Sequence, residues 1–401
     1  MYPPRLALAS LLFSTFAIAL GYGLLLPVLP GLVARLASGA SQSEIIWHTG
    51  LVTAAYAGAA LVIAPIMGRI ADRLSNSWMI VLSLVLTGTA TVAGAFVTSL
   101  SALYLWRFVA GMGAGAIGPA TQAWLGRWAP DDDTWRTRRV VWIGLASTAG
   151  LFIGPFVGGL AATIGLGFSA APDLGQQLPF LTVGTFLLAS AIVVAIAVRK
   201  APPHRQLELA VTSLLQRISL LLVPVGITAL AIGAFEVALA FMGDGQRMSP
   251  FEIGLLFAQC TLFMFAAQTV LIMPRFRDRS LRPLIVPALL ILAAGLTTMA
   301  FASGTALHIV STGLVAIGGG LLPPVLAREI SAIDGGATGA ANGIQSAAGQ
   351  AGATAGAVFA SLIAAITEPR WTFIAAAIAV LATGVFLFHV GRQRNWQRTA
   401  P

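Results

Sequence analysis

Twelve stretches of this chain run for about twenty residues or more almost without charge: roughly 6–30, 47–68, 77–98, 101–126, 140–165, 178–198, 218–243, 251–273, 283–303, 305–327, 337–366 and 370–390. About 20 apolar residues wound as a helix cross the hydrocarbon core of a bilayer. Lipid offers no hydrogen bonds, so each segment that crosses it must satisfy its backbone internally. Twelve such runs predict an all-α membrane protein with twelve transmembrane helices. Composition agrees, since 9% of residues are charged against about 25% in soluble domains. The single cysteine, Cys260, leaves no internal disulfide framework and no cysteine metal cluster. Arg5, the run after it and Ala17-Ile18-Ala19 look like a secretory signal. The run continues to Pro30 and eleven more follow, which reads as an uncleaved first span.

An even number of spans places both termini on one side. Of the 23 basic residues, only Arg35, Arg247 and Arg370 fall in loops on the far side, and Arg107 falls inside a span. Arginine and lysine collect on the cytoplasmic side of membrane proteins. The bias therefore predicts cytoplasmic termini in a multi-pass protein of the cell (inner) membrane. It also accounts for the net charge of +9 without a nucleic-acid partner. The longest polar break, 199–217, divides the spans six and six. A bundle over 1–198, a cytoplasmic linker over 199–217 and a second bundle over 218–401 follow. An internal echo supports the division: the second span exits into Gly68…Asp72-Arg73 and the eighth into Pro274…Asp278-Arg279. Two pseudo-symmetric six-helix halves are a transporter architecture.

Four signatures stand in order. They are Gly21…Pro27…Pro30 at the end of the first span, Gly68…Asp72-Arg73, Arg107…Gly111-Met112-Gly113-Ala114-Gly115, and Gly150…Gly154-Pro155…Gly158-Gly159. Together they resemble the motifs of the major facilitator superfamily, and within it the twelve-helix drug:proton antiporters. The first half is most similar to the tetracycline-efflux branch. The resemblance implies alternating access of the two halves and a function as exporter rather than enzyme. It implies that Arg107 takes part in proton transfer and that Asp72-Arg73, echoed by Asp278-Arg279, latches the halves. In this chain Ser75, Asn76 and Ser77 depart from the loop motif, which implies a weaker latch. A solvated charge pair that only sets topology is the other reading.

Gly150, Gly154 and Gly158, with Ala146 and Ala162, recur every fourth position and so share one helix face. Small residues let helices approach closely in lipid. The resemblance puts this helix, and the small-residue eleventh span, at the interface between halves. Ordinary tight packing is the alternative. Glu236 is the one carboxylate well inside a span, about 10 Å from the outer end if the span closes at Gly243. Burial and neighbouring charge both act on such a group's hold on its proton. It reads as the proton carrier, or else as a structural ion-pair partner. Arg107 lies about 9 Å inside the fourth span. It faces a cavity or snorkels to the headgroups.

No acid occurs in 6–30, which favours an anionic, zwitterionic or neutral substrate over a simple cation. Tyr22, Tyr56, Gln122, Gln259, Asn342, Gln345 and Gln350 are the polar candidates to line a substrate cavity, with helix packing the other reading for most of them. His48 and His308 read as interfacial anchors. Trp124, Trp128, Trp135, Trp142, Trp371 and Trp396 read as an aromatic belt. No phosphate-loop pattern appears, so ATP-driven transport is not indicated. The expected partners are a small-molecule substrate, protons and the bilayer, with no cofactor and no metal, in a monomer. The expected function is export of small amphipathic molecules by proton antiport. A dedicated exporter of one metabolite, such as a siderophore or other metallophore, is the alternative.

Overall fold

The computed structural model describes residues 3–74, 77–128, 133–166, 174–198, 211–245, 250–271, 280–333 and 338–393. In chain order its α-helices are α1 (Arg5–Leu25), α2 (Leu29–Leu36), α3 (Gln42–Leu74), α4 (Ser77–Gly94), α5 (Leu100–Gly126), α6 (Asp133–Leu166), α7 (Leu174–Ala197), α8 (Val211–Gly245), α9 (Pro250–Val270), α10 (Ile285–Ala300), α11 (Thr305–Ile333), α12 (Thr338–Ile366) and α13 (Arg370–Gln393). Among the described residues there is no strand. Eleven of these helices are long and apolar enough to span, and α9 carries a shorter apolar stretch, Gly254–Val270. The short α2 is the extra element.

Local chemistry sets the boundaries. The first span ends at Leu25, short of the expected Pro30, because Pro27 has no N–H to continue the ladder onto the Gly23 carbonyl. Leu26 N–H bonds that carbonyl instead, at 3.1 Å. At the start of α3, Glu44 Oε2 accepts from Ser41 N–H at 2.7 Å while Ser41 Oγ accepts from Glu44 N–H at 3.4 Å, a reciprocal capping box. Those bonds hold the exposed Glu44 carboxyl below the usual carboxylate range. The cap is therefore intact at neutral pH and fades as acid protonates it. Helix α8 starts at Val211, inside the segment expected to be linker. Buried hydroxyls such as Ser14, Thr87 and Thr91 donate to the carbonyl one turn back, which satisfies them within their own helices.

Two cores follow from the packing. One joins Leu11, Leu84, Leu103 and Phe180 of the first half; the other joins Phe235, Phe257, Leu289 and Phe373 of the second. In the first half α1 packs on α6 and α7, and α5 on α3 and α4; in the second α8 packs on α12 and α13, and α11 on α9 and α10. The halves meet where α3 lies on α12 and α6 lies on α9.

The glycine face of α6 corrects an expectation. Gly150 lies against the Phe16 carbonyl, Gly154 against that of Leu20 and Gly158 against that of Leu24, all on α1 within the same half. The carbonyl of Leu151, which Pro155 deprives of its helical donor, abuts Gly23 of α1. On α12, Gly352 and Gly356 lie against the carbonyls of Gly226 and Leu230 on α8, so the second half repeats the seam. These glycines weld each bundle together. Contact between the halves uses other positions: Gly254 of α9 against the Pro155 carbonyl, and Gly50 of α3 against Ser361 of α12. A helix presents one face to one neighbour, so the glycine stripe serves α1 and the adjacent face serves α9.

Candidate functional site

Alternation of the twelve spans gives the molecule a terminal side, holding Arg5 and Gln393, and an opposite side. Glu236 sits toward the opposite end of α8, nine residues or about 13.5 Å before the helix closes at Gly245. Only 3% of the residue is exposed. The Tyr22 hydroxyl of α1 donates to Glu236 Oε2 at 3.2 Å, a hydrogen bond that joins the two halves. The Tyr22 ring lies 5.3 Å, centroid to centroid, from that of Tyr56 on α3. Above Tyr56 sits the Arg107 guanidinium, 4.6 Å from the ring centroid. Glu236 and Arg107 are therefore linked through two tyrosines, and among the described residues no ion pair joins them. Arg107 is 4% exposed, and its Nε and Nη2 find no hydrogen-bond partner. The guanidinium does not snorkel. It faces a small cavity, lined by Thr91, Trp106 and Phe180 as well.

The fourth-span signature acquires a structural meaning. Arg107, Gly111 and Gly115 lie one turn apart and face α3 together. Gly111 has no side chain to block the Tyr56 backbone, and Gly115 likewise admits Ala60. This close approach brings the Tyr56 ring under Arg107, where ring and cation attract. Tyr56 was a polar cavity candidate in the sequence; its place under Arg107 was not foreseen, and the spacing Arg107-x-x-x-Gly111 was the signal.

The remaining candidates separate. Gln259 is engaged within its own half, donating to the Ile309 carbonyl at 3.0 Å and to Thr312 Oγ1 at 2.9 Å, which makes it a packing residue. Gln122 and Gln345 keep an Oε1 without a partner. Asn342 lies on α12, but its side chain is outside the described residues, as are those of Asp72 and Arg73 on the last turn of α3. Asp278, Arg279 and Trp396 are outside the described residues altogether. Gly159 is buried beside the α6 stripe. His48 Nδ1 meets the Tyr104 hydroxyl at 3.0 Å, and His308 is buried with Nδ1 2.9 Å from the Gly304 carbonyl. Trp124 and Trp135 are core residues rather than belt residues, each packed against a second tryptophan. Trp371 is exposed, with Arg370 over its ring, and fits a belt.

Two terminal-side contacts had no forecast. Glu329 of α11 accepts from Leu281 N–H at 2.7 Å and from Arg282 Nε at 2.9 Å, next to the Asp278-Arg279 motif. In the first half Arg127 Nη2 donates to the Ala71 carbonyl at 3.1 Å, next to Asp72-Arg73. The first half thus ties the end of its fourth span to the last turns of its second, and the second half ties its fourth span to the segment after its second. Glu329 lies just past the tenth apolar run, beside Arg328, where a charge is ordinary and gave no signal.

A two-bundle membrane fold with a buried polar chain across its seam defines the class: a multi-pass membrane transporter, not an enzyme. The sequence model of the Major Facilitator Superfamily matches residues 11–235 and again 221–400, and the chain belongs to that superfamily. It is 25% identical over 344 residues to the quinolone resistance protein NorA of Staphylococcus aureus (strain MSSA476), covering 84% of each. Over 171 residues it is 33% identical to the class H tetracycline resistance protein of Pasteurella multocida, which is 43% of this chain and 39% of that protein. Among solved structures, the human organic anion transporter MFSD10 (TETRAN) shares the fold with a TM-score of 0.73 at 17% identity, over 96% of this chain and 100% of that one. A bacterial homolog of the human lysosomal transporter Spinster, inward-facing and occupied, gives 0.75 at 16% identity and 98% of each chain.

Proposed function

We propose that the protein exports small amphipathic molecules from the cytoplasm in exchange for protons, by alternating access of its two bundles. The observation that carries this reading is Glu236, a buried carboxylate held at the contact between halves by Tyr22. A proton arriving on the opposite side neutralises Glu236, and the group then carries it inward as the bundles rock. Substrate entering from the terminal side competes for the same contact and releases the proton to the cytoplasm. Arg107 modulates the site through Tyr56 and offers the N–H groups of its Nε and Nη2 to an acidic or carbonyl oxygen on the cargo. The drug-resistance relatives support efflux, and the basic bias of the terminal side supports cytoplasmic termini in the cell (inner) membrane. Residues 1–198 and 218–401 are the rocking bodies of a monomer, and Asp72-Arg73 with Asp278-Arg279 are the terminal-side latches.

A dedicated exporter of an anionic metabolite, such as a metallophore, is the second reading. The unpaired N–H groups of Arg107 and the lack of any acid in the first span favour it. Proteoliposomes test the pair of readings. Drug-driven proton flux in the wild type and none in Glu236→Gln is expected. The amide keeps an oxygen for Tyr22, so that variant folds. Proton-coupled flux retained in Glu236→Gln overturns the assignment. Flux of one carboxylate-bearing metabolite alone selects the second reading.

A further inference from the structure

Gln268 of α9 is 2% exposed and uses both protons of its amide. One goes to the Gly320 carbonyl on α11 at 3.0 Å. Four residues beyond Gly320 stands Pro324, so this carbonyl has lost its helical donor. An unsatisfied carbonyl in the membrane costs several kcal/mol, and Gln268 fills the gap. The other proton goes to Thr148 Oγ1 on α6, in the opposite bundle, at 3.1 Å. Gln268 and Thr148 lie in the terminal-side parts of their helices, whereas the Tyr22–Glu236 bond lies near the opposite end.

We propose that Gln268 is a positioning residue for transport: it clasps the terminal side of the seam shut through Thr148, while its bond to Gly320 ties that closure to the proline bend of α11. These two bonds between halves then sit at opposite depths. The protein opens to the terminal side when Thr148 releases Gln268, and to the other side when Tyr22 releases Glu236. This rests on the two-bundle motion proposed above, but its readout is separate, since it measures distance between bundles rather than flux.

Spin labels at Arg138→Cys and Arg217→Cys, exposed positions on the terminal ends of α6 and α8, report that distance in a Cys260→Ala background reconstituted in lipid. Thr148→Val removes the acceptor at nearly constant volume. It is expected to raise the ratio of terminal-open to closed molecules about threefold, the effect of one average intramembrane hydrogen bond. Thr148→Ser restores the hydroxyl and the wild-type ratio. Gln268→Leu gives at least the Thr148→Val shift, and adding Thr148→Val to it gives no more. Unchanged distances in Thr148→Val overturn the clasp, even if Gln268→Leu alters them, because Gln268 then only fills the proline gap in its own half.

Discussion

At the scale of single residues, the site is a sequence of contacts in which each partner sets the next. Gly111 admits the Tyr56 backbone, the Tyr56 ring holds Arg107, and Tyr22 reaches Glu236 across the seam. Because Arg107 binds the face of a ring, Tyr56→Phe is expected to keep transport near the wild-type rate. Tyr56→Ala slows it about tenfold, as expected from loss of roughly 1.4 kcal/mol of cation–ring attraction. Initial-rate flux in proteoliposomes separates the two. Arg107 and Glu236 were legible as rare charges in apolar runs, since a charge in lipid has few explanations. That they do not pair was not legible, because spacing along two helices says nothing of what lies between them.

At the scale of helices, glycine position decides stability. A side chain at Gly158 meets the Leu24 carbonyl, a backbone atom that cannot move aside, whereas one at Gly144 meets open space. Gly158→Leu is therefore expected to destabilise the detergent-solubilised protein by at least 1–3 kcal/mol, the usual cost of overpacking. Gly144→Ala is neutral or stabilises by up to about 1 kcal/mol. Thermal melts of the two variants check both. On the terminal side, Glu329→Ala removes the acceptor of the Arg282 Nε–H and of the Leu281 N–H. The pair is partly exposed, so the loss is expected to cost about 1–3 kcal/mol, below the figure for a fully buried pair, read as a lower melting temperature. The four-residue stride of the α6 stripe was plain in the sequence as a close-packing face. Its partner was not: α1 and α9 both touch α6, and only the rotation of the helix about its axis assigns the glycines to α1.

At the scale of the whole molecule, two bundles touch along α3–α12 and α6–α9, and polar bonds cross at two depths. Cytoplasmic termini predict that a fluorescent protein fused after residue 401 lights up. A periplasm-dependent phosphatase fused there stays inactive and becomes active when fused into the loop before Arg370. The opposite pattern would reverse the direction of transport argued here. What the sequence determined by itself was the fold class, the number of apolar runs and the sidedness bias. Those follow from lipid's demand for internally bonded, uncharged helices and from the asymmetry of arginine across a membrane. Tertiary structure alone decided which faces meet: the glycines inside each bundle, two tyrosines between Glu236 and Arg107, and Gln268 on Thr148. Such contacts depend on helix rotation and depth, which sum over many small packing terms spread along the chain and leave no local mark at the residues they join.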